Sequence, residues 1–427
     1  MTASSQEHCA SYYAATLVER TDYPVLEGES EADVCVVGAG FTGVAAALTL
    51  AERGYRVAMI EANRIGWGAS GRNGGQLLYG MSGAARLRRQ NGANIDDLLW
   101  MLRRRGNEIV EERVRKYDIR CDLRHGFIEV ALKRSQLKGF EEEREEHERR
   151  GCGAEVRMIG ASELHNLIGT PRYLGGLLSE SNAHLHPLNL CAGEARAAAS
   201  LGAQVYERSP VLRIEHGARP RAVTARGSVR ADHLVLAGGA YHALEQQKLG
   251  GLSFAASSFM IATERLSALL VHEINPRNLA VADANVVLDY FRLTPDRRLL
   301  FGGHCNYSGR VPSSIQGSLR PRLAEVYPQF ARIRVDYEWG GRMGIVINRI
   351  PLIGRIAPNV YYSQSYSGHG LNVSHMAAEV LSDAIAGSME RFDVFARVKH
   401  VRLPVGEWAG RQMLALGMLY YRMRDLL

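Results

Sequence analysis

The sequence predicts an α/β fold that begins with a parallel β-α-β unit, and three observations lead to this prediction. Ala32–Val37 is a short apolar run of the kind that forms a buried parallel strand. Gly43–Arg53 carries apolar residues at helical spacing and ends at Gly54. Tyr55–Ile60 is a second candidate strand. A strand, a glycine turn, a helix and a strand within about thirty residues are typical of a doubly wound sheet.

The turn between the first strand and the helix has the spacing G-x-G-x-x-G, formed by Gly38, Gly40 and Gly43. The first glycine permits a tight turn, the second lets a pyrophosphate approach the backbone, and the third lets the helix pack closely on the strand. The helix amino terminus offers unpaired N–H groups to phosphates. Glu61 ends the second strand, where its carboxylate can accept the hydroxyls of an adenosine ribose. The unit therefore predicts an adenine dinucleotide as cofactor.

The segment Gly66–Gln76, GWGASGRNGGQ, indicates which dinucleotide is bound. A nicotinamide enzyme usually continues with regular helix and strand, whereas this segment is a long irregular loop. Its glycines can bring main-chain N–H groups close to a flat polar group such as a flavin ring with its ribityl chain. No second G-x-G-x-x-G unit follows, so we expect the electrons to come from an organic substrate. The segment predicts FAD.

These features resemble the FAD-dependent amine and amino-acid oxidases of the D-amino-acid oxidase, glycine oxidase and sarcosine oxidase type. The likeness extends to the bacterial branch that contains γ-glutamylputrescine oxidase and L-pipecolate oxidase. The segments that carry it are Gly66–Gln76, Ala231–Tyr241, Arg297–His304, Trp339–Gly354, Tyr366–Asn372 and Gly417–Leu427. The amino-terminal motif is common among flavoproteins, whereas the combination is specific to this family.

The resemblance implies an α/β architecture of two domains, in which a Rossmann-type FAD domain is interrupted by a mainly antiparallel substrate domain. The implied FAD domain comprises residues 1–90, 182–247 and 342–427, and the substrate domain residues 91–181 and 248–341. The strands expected in the substrate domain are Phe127–Arg134, Phe259–Leu266, Val286–Thr294 and Arg297–Cys305, with a hairpin turn between the last two. A charged helix is expected over Ser135–Gly151.

The resemblance also implies that separate segments meet on the flavin. The N–H groups of Gly370 to Asn372, at the start of a predicted helix, would face the pyrimidine edge of the ring, where reduction leaves negative charge. The expected FAD contacts are Gly38, Gly40, Phe41, Thr42, Gly43, Glu61, Ala62, Gly68, Ala69, Ser70, Arg72, Asn73, Gly74, Gly75, Gln76, Val211, Ala237, Gly238, Gly368, His369, Gly370, Leu371 and Asn372.

For catalysis, the resemblance points to Tyr290 and Arg292 on one strand and to His304 at the end of the next. Sarcosine-type oxidases have a dioxygen-activating lysine on the strand that contains His304, and this sequence has no lysine there. We expect His304, Arg342 or a neighbouring arginine to supply the cation, or an acceptor other than dioxygen to be used. No cysteine occurs in Trp339–Gly354, where sarcosine oxidases attach their flavin, so we expect non-covalent FAD.

The anchor that relatives use for a small amino acid is displaced in this sequence. Glycine oxidases hold the substrate carboxylate with an arginine in a W-S-G-L-R-P segment. The ungapped position here is Met343, and Arg342 lies one residue earlier. A shift of one residue on a strand reverses the face, so Arg342 would reach the pocket only through a bulge. This departure favours an extended amine as substrate.

The resemblance implies transfer of a hydride equivalent to FAD from the carbon beside an uncharged amine. Water would hydrolyse the resulting imine, and dioxygen would reoxidise the flavin and yield hydrogen peroxide. We expect γ-glutamylputrescine or a related γ-glutamyl polyamine as substrate, with the cyclic amino acid L-pipecolate as the alternative. An alternative of another class is a flavoprotein without turnover, structural or associated with tRNA modification.

The composition argues against several other classes. The formal charge of +7 is weak evidence for nucleic-acid binding, because the chain has only five lysines and its arginine runs lack interleaved aromatic residues. Six cysteines without a C-x-x-C pair argue against a disulfide framework. His184 and His186 form an H-x-H pair without a further ligand at metal-site spacing. We expect neither a nucleic-acid partner nor a metal.

The longest apolar runs, such as Val44–Leu48, are too short to span a bilayer, and Met1–Arg20 lacks the pattern of a secretory signal. We therefore expect a cytoplasmic protein without an integral membrane segment. The amphipathic tail Trp408–Leu427 is expected to dock as a helix on the protein. The sequence does not determine whether the protein is a monomer or a homo-oligomer.

Overall fold

The computed structural model describes residues 6–241, 243–307, 311–403, 410, 412 and 413, except for the side chain of His304. Its strands are β1 Gly28–Val37, β2 Val57–Ile60, β3 Gln76–Leu77, β4 Arg124–Ala131, β5 Val156–Gly160, β6 Gly175–His184, β7 Gln204–Tyr206, β8 Arg213–Glu215, β9 Arg221–Val223, β10 Gly227–Leu236, β11 Ser253–Thr263, β12 Ala280–Asp283, β13 Tyr290–Leu293, β14 Leu299–Asn306, β15 Val335–Val346, β16 Leu352–Ala357 and β17 Val360–Gln364. Its helices are α1 Tyr12–Ala15, α2 Phe41–Glu52, α3 Ala84–Asn91, α4 Asp96–Lys116, α5 Arg134–Arg149, α6 Ala161–Ile168, α7 Pro187–Ser200, α8 Gln246–Leu249, α9 Ala268–Ile274, α10 Ile315–Val326, α11 Gly370–Ile385 and α12 Glu390–Ala396.

Within these ranges no helix has both the length and the apolar character needed to cross a membrane. Most of the predicted tail helix Trp408–Leu427 lies outside the described residues.

The first sheet has eight strands, and its main path runs β16-β17-β10-β1-β2-β7. Strands β17, β10, β1, β2 and β7 are parallel, and β16 is antiparallel to β17. The hairpin β8-β9 pairs with β10 at its side. The predicted β-α-β unit is present as β1, α2 and β2, and the predicted Rossmann-type sheet is confirmed.

Helices cover one face of the first sheet. Val36 on β1 packs there with the apolar faces of α2, α7 and α11. Helix α4 approaches α11 so closely that a Cβ atom on Gly106 would lie 2.0 Å from the backbone oxygen of Asn372. Cys35 points to the opposite face, which packs with residues of β10 and of the β8-β9 hairpin. The glycine turn after β1 lies at the carboxyl edge of the sheet, where doubly wound folds bind their ligands.

The second sheet has nine strands in the order β15-β11-β14-β13-β12-β4-β6-β3, with β5 paired to β6. All its pairings are antiparallel except that of β12 with β4, which confirms the predicted sheet type. One face packs Phe259 and Phe301 against α10. The other face carries Met260 and Trp339, which pack against Tyr13 from α1. We call this second face the inner face.

The predicted strands of the second sheet are present as β4, β11, β13 and β14, and the predicted charged helix is α5. Two starts differ from the prediction: β11 begins at Ser253 instead of Phe259, and β13 begins only at Tyr290 instead of Val286. The carboxylate of Asp283 explains the late start of β13, since its oxygens accept the backbone N–H groups of Asn285 and Asp289. These bonds fold residues 283–289 into a turn instead of a strand.

The two sheets draw on different parts of the chain. The first uses residues 28–60, 204–236 and 352–364, and the second uses 76–77, 124–184, 253–306 and 335–346. Strands β6 and β15 thus run past the predicted boundaries at 182 and 342. Helix α4 belongs to the predicted substrate domain by sequence, but it packs with the helices of the first sheet. The domain boundaries stay a prediction, and this packing favours assigning α4 to the first domain.

Candidate active site

The glycine turn after β1 is tight enough to exclude side chains. Gly38 has a φ of +103°, and a Cβ atom on it would lie 2.7 Å from the backbone oxygen of Ala237. A Cβ atom on Gly43 would lie 1.8 Å from the backbone oxygen of Gly38. Helix α2 can therefore begin directly against the end of β1. Its amino terminus, capped by Gly40, lies where N–H groups can meet phosphates.

Two residues in the first turn of α2 already have protein partners. The backbone N–H of Phe41 donates to Ser70 Oγ at 2.8 Å. The Thr42 and Tyr366 hydroxyls lie 2.5 Å apart. A Cβ atom on Gly40 would lie 2.8 Å from Ser70 Oγ, so the loop sits close above the turn. Ser70 and Tyr366 thus bring the loop and the segment before α11 to the predicted phosphate site.

Glu61 lies directly after β2, and its carboxylate faces the glycine turn. Oε2 accepts the backbone N–H of Ala39 at 2.7 Å, and Oε1 accepts that of Asn63 at 2.9 Å. Burial raises the pKa of this carboxyl, and the bonds from Ala39 and Asn63 oppose the rise. An ionised carboxylate has about four acceptor positions, so capacity remains for a ribose hydroxyl.

The loop Gly66–Gln76 is held in shape by the side chain of Asn73. Its Nδ2 donates to the backbone oxygens of Ala69 and Ser70 at 3.1 and 2.8 Å, and its Oδ1 accepts the N–H of Gly75 at 2.8 Å. Gly75 has a φ of +71°, and a Cβ atom on it would lie 2.1 Å from the backbone oxygen of Leu185. These contacts hold the loop in a single compact conformation.

Arg72 joins this loop to the second sheet. Its guanidinium donates to the backbone oxygens of Trp67 and Gly340 at 2.8 and 3.3 Å and lies 4.5 Å from the centre of the Trp67 ring. In return, the Trp339 indole donates to the backbone oxygen of Arg72 at 3.0 Å. These contacts give Arg72 a structural role beside its expected contact with FAD.

Three segments that are expected to contact the cofactor cover the outer edge of β15: the loop Gly66–Gln76, the chain after β10 and the segment before α11. Besides the bond from Arg72, the N–H of Arg342 donates to the Tyr241 hydroxyl at 3.0 Å. The N–H of Ser367 donates to the backbone oxygen of Gly344 at 3.1 Å, and Ser367 Oγ accepts the backbone N–H of Val346 at 3.2 Å. An uncovered strand edge would expose unpaired N–H and C=O groups. The two sheets therefore meet along this edge.

The segment before α11 is irregular. Ser365, Ser367 and Gly368 have φ values of +64°, +53° and +106°, so the chain reverses sharply before the helix begins at Gly370. Gly368 and His369 are exposed, and His369 Nδ1 lies 3.0 Å from Ser82 Oγ. The exposed turn leaves the N–H groups of the first helical residues, including Leu371, available at the end of the site.

Asn372, which was expected to contact FAD, is buried in the protein. Its Nδ2 donates to the backbone oxygens of Leu78 and Arg103 at 2.9 and 2.7 Å. The side chain therefore ties α11 to α4 and to the chain after β3. Only the backbone N–H of Asn372 remains as a candidate contact with the flavin.

Tyr290 lies between the loop and the second sheet. Cβ atoms on Gly74 and Gly302 would lie 2.6 and 2.2 Å from its ring, so both glycines are needed to accommodate it. Its hydroxyl lies 3.4 Å from Ser258 Oγ, and burial raises its pKa above the ordinary value. Tyr290 is on the inner face, next to the loop that is expected to hold the flavin.

Arg292 was expected to line the substrate pocket, but its guanidinium donates hydrogen bonds to other protein groups. Its Nε donates to the backbone oxygen of Gly74 at 2.8 Å, and its Nη2 donates to that of Leu185 at 2.8 Å and to the Tyr13 hydroxyl at 3.2 Å. The residue is 3% exposed. This position favours a role in holding the loop over direct contact with a substrate.

Arg342 and Met343 lie on opposite faces of β15. The pairing of β15 with β11 keeps one register from Tyr337 to Val346, without a bulge that would turn Arg342 inward. Met343 shares the face of Trp339, which is the inner face, because side chains alternate along a strand. Arg342 is exposed on the other face. The expected catalytic role of Arg342 stays a prediction that this geometry does not favour.

The remaining expected residues are distributed around these segments. His304 lies within β14, but its side chain is outside the described part of the chain. Gln76 donates to the backbone oxygen of Val281 at 2.9 Å, so it joins the loop to β12. Val211 packs on the face of the first sheet opposite α2. Ala62, Gly68, Ala69 and Gly238 lie in the turns after β2 and β10 and in the loop.

Arg349 and Tyr307, which lie near the inner face, were not among the residues expected from the sequence. The Arg349 guanidinium donates to the Tyr307 hydroxyl, which donates to Cys305 Sγ. Arg349 has a φ of +64° in the turn that follows β15. The left-handed position itself carries no sequence signal, because an arginine and not a glycine or asparagine occupies it.

His184 and His186 have structural roles. His184 Nε2 lies 2.8 Å from the backbone oxygen of Asn278, and His186 Nδ1 accepts the N–H of Asn189 as the cap of α7. Burial lowers both pKa values to about 3. Among the described residues, no group of three His, Cys, Asp or Glu side chains could hold a metal.

The hydrogen-bonding groups of this region are of the kinds that bind FAD, and each group suits one part of that molecule. The amino terminus of α2 and Glu61 suit a pyrophosphate and an adenosine ribose, and the loop and the amino terminus of α11 suit the polar edge of a flavin. The close approaches at Gly38, Gly43 and Gly75 show that the surrounding backbone is packed for a fixed cradle.

Comparison with known proteins supports this assignment. The family model "FAD dependent oxidoreductase" (DAO) matches residues 33–384. The chain is 39% identical over 423 residues to gamma-glutamylputrescine oxidoreductase of Escherichia coli strain K12, covering 99% of both chains. It is 34% identical to the probable oxidoreductase OrdL of Haemophilus influenzae, covering 98% of each chain.

Solved structures agree on the fold. Glycine oxidase from Geobacillus kaustophilus superposes with a TM-score of 0.72 at 22% identity, covering 87% of this chain and 100% of that one. L-proline dehydrogenase from P. horikoshii gives 0.69 at 18% identity, covering 91% and 99%. The two-sheet architecture, the cofactor cradle and the match over the whole chain lead to one conclusion: this protein belongs to the DAO family of FAD-dependent oxidoreductases.

Proposed function

We propose that this protein oxidises the amine end of γ-glutamylputrescine or a related γ-glutamyl polyamine, with FAD as the electron acceptor. The observation that carries the proposal is the 39% identity, over 99% of both chains, to a gamma-glutamylputrescine oxidoreductase. We further propose that dioxygen reoxidises the flavin, which would release hydrogen peroxide.

Bound FAD would supply the capacity to accept a hydride equivalent from the carbon beside the uncharged amine. The chain then has to hold that carbon in place and exclude water from it. Tyr290 and Trp339 on the inner face, together with the loop that Arg292 fixes, support such a positioning role. The first turn of α11 offers N–H groups that would stabilise developing negative charge. Water would hydrolyse the released imine to an aldehyde and ammonia.

The inner face of β15 supports a substrate whose carboxylate is distant from the reacting amine. Met343 lies there among Ala256, Tyr307 and Ile345, in an apolar cluster. The apolar side chains of this cluster suit the methylene groups of an extended amine. This arrangement favours γ-glutamylputrescine over L-pipecolate, whose carboxylate is attached beside the ring nitrogen.

The experiment is a turnover panel with the purified holoenzyme. γ-Glutamylputrescine, putrescine, L-pipecolate and glycine are compared at equal concentration, with peroxide release and reduction of an artificial acceptor measured in parallel. We expect γ-glutamylputrescine to give the highest kcat/KM, with peroxide formed in the absence of the artificial acceptor. A preference for L-pipecolate would overturn the substrate assignment. Reduction of the artificial acceptor without peroxide would make the protein a dehydrogenase, and no turnover with any amine would favour the non-catalytic alternative.

A further inference from the structure

Three ionisable side chains form a buried cluster that joins helices α4, α7 and α11. His375 on α11 places its Nε2 3.1 Å from Glu194 Oε2 on α7. The other oxygen of this carboxylate, Oε1, accepts a hydrogen bond from Arg113 Nη1 on α4 at 2.9 Å. Glu194 is 0% exposed, His375 is 1% exposed and Arg113 is 4% exposed. Water therefore screens the charges of this cluster only weakly.

Both ring nitrogens of His375 face hydrogen-bond acceptors. Nδ1 lies 2.6 Å from the backbone oxygen of Leu371, which has no proton to donate. Ser374 Oγ is further from Nδ1, at 3.5 Å, and itself donates to the Leu371 oxygen at 3.2 Å. Burial raises the pKa of the Glu194 carboxyl, but the charges and hydrogen bonds of His375 and Arg113 outweigh burial and hold that pKa below its usual value. Because a neutral imidazole has one N–H donor and the imidazolium has two, this geometry requires a proton on each ring nitrogen.

The Leu371 oxygen that His375 contacts belongs to the peptide group whose nitrogen is that of Asn372. Val373 donates to the backbone oxygen of His369 at 3.2 Å, so the N–H of Asn372 comes before the hydrogen-bonded part of α11. This N–H is the candidate contact with the flavin that Asn372 retains. A hydrogen bond to the oxygen of a peptide group polarises the group and strengthens its N–H as a donor. His375 is therefore one peptide group away from the expected flavin contact.

The cluster also contacts α2, whose amino terminus is the predicted phosphate site. The ring of His375 lies 5.4 Å from the ring of Phe41, the first residue of α2. Arg113 Nη2 donates to the backbone oxygen of Ala45 at 3.2 Å and to Thr49 Oγ1 at 2.6 Å. The two helices whose amino termini are expected to face FAD thus share one buried ionic cluster.

The charges of the cluster do not cancel. His375 and Arg113 are both cationic, and they share the single carboxylate of Glu194. Glu52 also lies 3.6 Å from Arg113, but Glu52 is partly exposed and pairs with Lys116 at 2.6 Å. One positive charge therefore remains inside the protein. The desolvation of a buried ion pair offsets most of its attraction, so stability alone does not require this charge.

We propose that His375, held doubly protonated by Glu194, is a positioning residue that strengthens the N–H of Asn372 as a donor to the reduced flavin. Reduction leaves negative charge on the flavin, and a charged group behind the donor stabilises this charge more than it stabilises the oxidised ring. The effect is largest in an interior of low dielectric constant. The inference uses the cofactor of the family and does not depend on which amine is oxidised.

The test measures the midpoint potential of the bound FAD, by equilibration of the holoenzyme with a reference dye in the absence of any amine. His375→Gln replaces the imidazolium by a neutral side chain that can still donate to the Leu371 oxygen. We expect the equilibrium constant for two-electron reduction of the flavin to fall at least about tenfold, which is a shift of about 30 mV to lower potential. An unchanged potential would overturn the inference. His375→Asn provides the same test where glutamine does not fit.

Thr49→Val is the matched control for a purely structural role. It removes the acceptor of Arg113 Nη2 in the same cluster and leaves every charge in place. We expect this variant to be less stable and to keep the equilibrium constant of the flavin within about threefold of the wild-type value. A fall equal to that of His375→Gln would show that the potential follows helix packing, and the inference would be wrong. His165→Gln, at an exposed position on α6, should change neither stability nor potential.

Neutron diffraction from crystals of the perdeuterated wild-type holoenzyme tests the protonation state without any variant. We expect deuterium on both ring nitrogens of His375 and none on the Glu194 carboxylate. A single deuterium on the ring, or one on Glu194, would overturn the inference. If the enzyme does not oxidise γ-glutamylputrescine, the proposed function fails, whereas the potential and the neutron structure still decide the role of His375.

Discussion

The phenolic oxygen of Tyr241 accepts the backbone N–H of Arg342 at 3.0 Å, which joins the chain after β10 to the outer edge of β15. Tyr241→Phe removes this acceptor and leaves the strand edge less well paired. We expect a loss of about 1 kcal/mol of unfolding free energy and weaker retention of FAD, because the two sheets meet along this edge. Thermal unfolding and the flavin content after gel filtration measure both effects. Tyr206→Phe, which removes a hydroxyl near Gln204 on the surface, is the control; equal stability of the two variants would contradict the role of the edge.

Gly43→Ala tests the packing of α2 against the end of β1. The new methyl group would lie 1.8 Å from the backbone oxygen of Gly38, so the helix and the turn must separate. We expect FAD affinity to fall at least tenfold, seen as loss of the flavin absorbance near 450 nm after dialysis. Gly139→Ala is the matched control in α5, where nothing lies within 4 Å of the added atom. The control should be neutral or more stable by up to about 1 kcal/mol; a fully yellow Gly43→Ala protein would contradict the assignment.

Arg292→Met tests whether this arginine holds the loop or binds the substrate. The change leaves the backbone oxygens of Gly74 and Leu185 without their buried donor, at a cost of about 1–3 kcal/mol each. We expect a clear loss of stability in urea and an unchanged preference for γ-glutamylputrescine over putrescine. Arg355→Met, at an exposed position on β16, is the control. A stable variant with a changed substrate preference would indicate that Arg292 contacts the substrate.

His186→Asn tests the contribution of a buried neutral histidine to acid stability. The folded pKa of His186 is lowered to about 3 and its ordinary value is 6.5, so below pH 6.5 the unfolded chain binds a proton that the folded chain does not. Its contribution is therefore present above pH 6.5 and is lost as the pH falls towards 3. Asparagine can still cap α7 but does not titrate. We expect the slope of unfolding free energy against pH, measured between pH 6 and pH 4, to be smaller in the variant than in the wild type by the equivalent of about one proton. An unchanged slope would contradict this account.

The sequence predicts the parts of the site that depend on short-range spacing. Gly38, Gly43 and Glu61 belong to one β-α-β unit, in which the distances along the chain fix the distances in space. The face of Arg342 was also predictable, because alternation along a strand needs only the parity of the residue number. The irregular loop was predictable as a loop from its glycines, though its internal bonds through Asn73 were not.

The parts that the sequence does not predict depend on distant segments or on an unusual backbone. Arg292 meets Gly74 across more than two hundred residues, and nothing local distinguishes a buried guanidinium from one in a pocket. Arg349 has a left-handed backbone conformation that glycine or asparagine usually adopts, so its conformation became apparent only from the structure. Helix α4 was assigned to the substrate domain because its neighbours in sequence belong there, whereas its apolar face packs on α11.

Anaerobic mixing of the oxidised holoenzyme with γ-glutamylputrescine tests the central claim most directly, because it observes electron transfer without dependence on the final acceptor. We predict rapid and complete bleaching of the flavin band near 450 nm by γ-glutamylputrescine. Bleaching by putrescine should require much higher concentrations, and L-pipecolate should bleach slowly or not at all. A flavin that stays oxidised with γ-glutamylputrescine but is bleached by L-pipecolate, or by none of these amines, would contradict the account.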